Sequence, residues 1–176
     1  PGHGEYALEL AAFGGPLPPA REAGAASRLA DAAVALPSTR QEVLELDKIF
    51  DGSRRRVFLG ADFNWENFSR FAPRARVVHL ASHFFVDAGD PQRSAFLFSA
   101  RGQDPAFCDA RRFRGLKLPA ELAVLSACET SEKDLLAFKR LGGVTAAFRR
   151  AGVRSLISSL WPVDEFSSQV VPPFYR

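Results

Sequence analysis

Two stretches of this chain, residues 75–82 and 120–127, are too apolar to be strands with one face in water. A strand buried on both faces reads as a near-continuous run of Val, Leu and Ala, and it belongs inside a parallel sheet covered by helices on both sides. The chain is therefore constrained to an α/β arrangement. Each run also ends on a residue of nucleophile chemistry: Arg76-Val-Val-His-Leu-Ala-Ser-His83 and Leu122-Ala-Val-Leu-Ser-Ala-Cys128.

A thiol attacks as thiolate, and a nearby imidazole takes its proton near neutral pH. The excursion between the two runs is long enough to return the second strand beside the first. Neighbouring parallel strands would put His83 and Cys128 at one carboxyl edge, where open α/β sheets bind ligands. The spacing predicts a Cys-His dyad there.

The remaining pattern alternates strands with helices, which argues an α/β sandwich. A strand is expected at Tyr6–Phe13, followed by an irregular insertion over residues 15–35 that is rich in Gly, Pro and Ala. Ser38 or Thr39, with Gln41 and Glu42, opens a helix whose apolar face is Val43, Leu44, Leu46, Ile49 and Phe50, and Asp51-Gly52 ends it. Arg56–Leu59 reads as a short strand, Asn64–Phe71 as a helix closed by Pro73, Val86–Pro91 as a loop and Ala95–Phe98 as a short strand. A loop over Glu129–Lys133 leads to a helix that starts near Leu135 or Leu141 and runs to Ala151. Gly152 lies at the stop position, and Gly142-Gly143 fall inside the helix. Val153–Leu160 forms a third strand.

At 176 residues and 47% apolar content the chain has the size of one domain with one core. It has no uninterrupted apolar run of membrane-spanning length and no leader peptide, so a soluble, cytoplasmic protein is expected. Cys108 and Cys128 show neither a disulfide framework nor zinc spacing, and neither metal nor cofactor is expected. The net charge of +3 comes from scattered arginine and lysine pairs, which read as solvated faces rather than a nucleic-acid surface. A nucleotide-binding domain would need a glycine-rich phosphate loop, and neither G-x-G-x-x-G nor G-x-x-x-x-G-K-[ST] occurs.

The segments VVHLASHFF, SAFLF, LAVLSACET and GGVTAAFRRAGVRSLISSLWPVDE follow one another in the order of the CHAT domain, and with LPSTRQEVLEL the likeness spans residues 36–176. The chain thus resembles that caspase-like cysteine peptidase domain, which is often found after tetratricopeptide repeats. The resemblance implies a caspase-like three-layer α/β/α sandwich with a mostly parallel central sheet. It also implies a cysteine endopeptidase acting on a protein or peptide substrate. His83 closes the family's A-[ST]-H motif and Cys128 is the Cys of its S-A-C-E-T motif. Many relatives carry Gly after the His, and its backbone N–H helps form the oxyanion hole. Here the position is Phe84, so the expected donors are the N–H groups of Phe84 and Cys128. A subgroup with S-H-F looks similar. The F-Y-R helix of the family continues beyond Arg176, so the last helix is expected to be truncated, with regulatory modules or partner proteins outside the chain.

The other reactive residues have plainer readings. His79 lies four residues before His83 on an extended strand, whereas a metal-binding H-x-x-x-H pair needs a helix, so His79 reads as a core histidine. Cys108 reads as incidental, in a polar loop. Asp87, Asp90 and Glu129 are possible partners for His83, and no third catalytic residue is assigned. Trp161 and Asp164, after the last strand, are candidates for the substrate cleft. The alternative to an enzyme is an inactive caspase-like scaffold that binds partners as an interaction or signalling module.

Overall fold

A computed structural model describes residues 6–18, 37–87, 89–90, 92–129, 142–159 and 167–175, with 128–129, 142 and 167–168 described through their backbone alone. Seven strands occur among these residues: β1 (Leu8–Gly14), β2 (Arg55–Leu59), β3 (Ala75–Phe85), β4 (Ala95–Leu97), β5 (Phe107–Asp109), β6 (Leu122–Glu129) and β7 (Ser155–Ser158). Five of them run parallel in the order β2-β1-β3-β6-β7. β4 and β5 extend the sheet antiparallel from the last two residues of β3. The helices are α1 (Pro37–Ile49), α2 (Trp65–Phe71), α3 (Ala110–Phe113), α4 (Gly142–Ala151) and α5 (Ser167–Val170). The fold is mixed α/β.

Local chemistry explains the helix ends. Pro37 opens α1 at a position whose N–H has no intrahelical partner to lose. Asn64 caps α2 by accepting the Asn67 N–H at 3.0 Å, and Asp109 caps α3 by accepting the N–H groups of Arg111 and Arg112. α4 stops at Gly152, which takes φ +110. The N–H of Val153 reaches the Phe148 carbonyl and that of Gly152 reaches Arg149, so the last carbonyls are satisfied by a left-handed turn. Gly142 and Gly143 stand at the first residues described for α4 rather than in its middle.

Alternate residues of the inner strands feed two apolar clusters, as the period of two requires. Phe13, Val78, Leu80 and Leu125 meet the rings of Phe68, Phe98, Phe113 and Phe148 on one face. Leu10, Ala12, Val77 and Ala81 meet Val43 and Leu46 of α1 on the other. Burying each of these Val, Leu and Phe side chains is worth about 1.5–3 kcal/mol. β1 and α1 touch where Gly14 ends the strand, since a Cβ there would lie 2.6 Å from the Thr39 carbonyl oxygen.

β3 runs past its expected end at Ser82 to Phe85, because β4 pairs with Phe84 and Phe85. Cys108 is not in a polar loop: it is buried in β5, paired with Phe96. β5 and α3, three and four residues long in a mostly polar stretch, carry neither an apolar run like that of β4 nor a period, so they gave no signal. The expected insertion at 15–35 lies mostly outside the described residues, as do residues 130–133 of the loop after β6, Leu135, Leu141, Leu160, Trp161 and Asp164.

Along the amino edge of the parallel strands, charged side chains alternate in sign. Arg54 pairs with Glu9 at 3.0 Å, Glu9 with Arg76 at 2.5 Å, Arg76 with Glu121 at 3.3 Å, and Glu121 with Arg154 at 4.0 Å. Arg55 likewise pairs with Asp47, Arg111 with Asp109 and Arg112 with Asp104, so these members of the basic runs sit in ion pairs.

Candidate active site

At the opposite, carboxyl edge, β3 and β6 are parallel neighbours whose register pairs Ala81 with Ser126, His83 with Cys128 and Phe84 with Glu129. The pairing of position 83 with 128 puts both expected dyad residues at one level of one edge. His83 is buried, its ring 5.8 Å from that of Phe85, two residues further along the same strand face. The backbone just before Cys128 is held from the β7 side. The Ala127 N–H donates to Ser159 Oγ at 3.0 Å, and the Ser159 hydroxyl donates back to the Ala127 carbonyl at 2.7 Å. One side chain therefore continues the ladder where β7 has ended.

Phe84 points into the core on the other face of β3, its ring 4.9 Å from that of Phe96. Its backbone is extended, with β4 on one side and β6 on the other, so the left-handed conformation reserved for glycine is not used here. Ser82 donates to the Leu97 carbonyl at 2.6 Å and ties the hairpin to β3.

The acidic residues after His83 hold their own loop. Asp87 accepts the N–H groups of Gly89 and Asp90, and these two hydrogen bonds, with Arg93 nearby, hold its carboxyl below the usual range. Asp90 accepts from the Gln92 N–H. Burial pushes the Cys108 thiol up to about 12, so it carries almost no thiolate at neutral pH. Among the described residues no group of three or more His, Cys, Asp and Glu is arranged to hold a metal ion, and no helix is long and apolar enough to cross a membrane.

One buried group escaped the sequence reading. Glu42, taken there as part of a helix-start signal, lies in the buried stripe of α1 with Thr39, Val43 and Leu46. Its Oε2 accepts from the Ser126 hydroxyl at 3.0 Å. Its Oε1 lies 2.9 Å from His79 Nε2, an ion-pair distance whose angles fall outside hydrogen-bond geometry. His79 Nδ1 in turn meets the Tyr175 hydroxyl at 2.9 Å. His79 is thus a core histidine, as its place on a strand implied, but a partnered one. The missed signal was an acidic residue inside an apolar helical stripe.

No curated protein matches the chain. The family model of the CHAT domain matches residues 11–176, a span that begins within β1 and takes in both His83 and Cys128. With the motifs now placed side by side at one sheet edge, the chain belongs to the CHAT domain family, a caspase-like group.

Proposed function

We propose that the protein is a cysteine endopeptidase built on a caspase-like three-layer sandwich, with Cys128 as nucleophile and His83 as its base. The observation that carries this reading is the β3–β6 register, which pairs position 83 with position 128. Cys128 attacks the scissile carbonyl of a protein or peptide substrate. His83 takes the thiol proton and returns it to the leaving amine, and water then resolves the thioester. The N–H groups of Cys128 and Phe84 are the proposed oxyanion donors; because Phe84 lies between β4 and β6, its N–H must leave the sheet pairing to reach the oxyanion. Each such donor is worth about 2.7–4 kcal/mol of transition-state stabilisation.

The test is a peptide-library cleavage screen run beside Cys128→Ala and His83→Ala. Each substitution abolishes cleavage while leaving the melting temperature near that of the wild type, since nucleophile and base act as a unit. Cleavage that survives Cys128→Ala removes the assignment. A wild-type protein that cleaves nothing, and whose Cys128 reacts with iodoacetamide only on unfolding, is a binding scaffold instead.

A further inference from the structure

Both central strands are covered on both faces, and this creates a problem of alignment. Where one face of a strand is wet, a slip of one residue exposes apolar side chains and is strongly disfavoured. β3 has no such contrast: ten of its eleven residues are buried, on alternating faces. In β6 the described side chains from Ala123 to Ala127 are all buried as well. Hydrophobic burial alone therefore discriminates poorly between neighbouring registers of β3 and β6. The proposed chemistry depends on one of them, because a slip of two residues displaces Cys128 from His83 by about 6.6 Å.

Among the described residues, and beside the part-exposed Arg76–Glu121 pair at the amino end, a buried polar set on these strands distinguishes registers. His79 on β3 and Ser126 on β6 both reach a single side chain, Glu42 of α1, and all three are buried. We infer that Glu42 is a positioning residue that pins the register of β3 against β6, so that His83 meets Cys128. Position 126 is two residues before 128 and position 79 is four before 83, so all four share one face by the period of two. A slip by one residue carries Ser126 to the other face; a slip by two takes its hydroxyl away from Glu42. Either slip leaves buried polar groups unpaired, at about 1–3 kcal/mol each, which is large beside the usual net stability of a domain. Tyr175 belongs to the same set and brings the segment after α5 onto His79.

A buried carboxylate is a poor way to gain stability alone, since apolar replacements of whole polar groups are often neutral or stabilising. That separates a pin from a structural filler. The inference rests on the dyad reading for its catalytic consequence, but the register itself is measurable without catalysis. The fourfold variant Glu42→Leu, His79→Leu, Ser126→Ala, Tyr175→Phe removes every member of the set, while Glu42→Gln keeps an acceptor for Ser126. NMR cross-strand contacts report which residue faces 83, and iodoacetamide labelling and peptide cleavage report alignment. The wild type and Glu42→Gln are expected to show one register, 83 against 128. The fourfold variant is expected to melt at or above the wild type, to show a second register, and to lose about a hundredfold in kcat with KM held. Should that variant not fold, Ser126→Ala carries the same measurement. A single 83–128 register in the variant, with labelling and cleavage unchanged, overturns the pin. A wild type that holds the register, and slips without Glu42, yet neither labels nor cleaves, sustains the pin and removes the peptidase.

Discussion

Cys108 and Phe84 show how much a side chain's surroundings decide what it can be asked to do. The thiol of Cys108 is raised from 9.0 to about 12, chiefly by burial, so the folded protein keeps a proton that the unfolded chain releases. Its contribution to stability is complete below pH 9.0 and is lost as the pH rises toward about 12, at about 1.4 kcal/mol per pH unit. Denaturation of wild type and Cys108→Ala across that window is expected to show the shallower decline in the variant, with cleavage at neutral pH untouched. Tyr175, its phenol also held protonated by burial and then by Glu42, adds to the decline in both proteins and cancels in the comparison. Phe84→Gly reads differently from its place in the sequence. The ring is buried against Phe96, so its loss costs about 3–5 kcal/mol, and glycine in a strand adds about 0.5–1 more. Calorimetry on Phe84→Gly is expected to show that stability loss, and a variant as stable as the wild type would contradict this packing. At this scale the sequence offered His83 and Cys128 as candidates, because their motifs are local, and the structure pairs their two positions in register. It hid Glu42, whose partners Ser126 and His79 are distant in the chain and near only after folding.

Elements marked by an apolar run, a helical period or a capping residue were legible: β1, α1, β2, α2, β3, β4, β6 and β7 lie close to where the sequence put them. Those missed, β5 and α3, are three and four residues long and exist because β4 offers an edge and Asp109 a cap. The extra length of β3 has the same origin, since nothing in His83-Phe84-Phe85 distinguishes a strand end from a strand that continues into a hairpin. How α1 meets the sheet was equally invisible, being set by the missing Cβ of Gly14. Gly14→Ala would push that atom against the Thr39 carbonyl and Val43, both 2.6 Å away. Overpacking of this kind costs about 1–3 kcal/mol. Thermal melting is expected to register that loss. NMR shifts of α1 residues, Glu42 among them, are expected to move more than those of α2, while an unchanged α1 would show that the helix does not rest on this contact.

For the whole molecule, the class of fold followed from two apolar runs and the family from four ordered motifs, but strand order did not. The order became visible in the charges at the amino edge, where Arg54, Glu9, Arg76, Glu121 and Arg154 stand in sequence across the strands β2-β1-β3-β6-β7. These side chains are part exposed, and exposed pairs each contribute only about 0–1 kcal/mol. Their arrangement matters more than their sum. A row that reads plus, minus, plus, minus, plus has a property that no single ion pair has: exchanging any two adjacent members sets like charges side by side. The edge thus acts as a parity check on assembly, penalising a sheet in which two neighbouring strands have traded places even when its apolar interior is equally well filled.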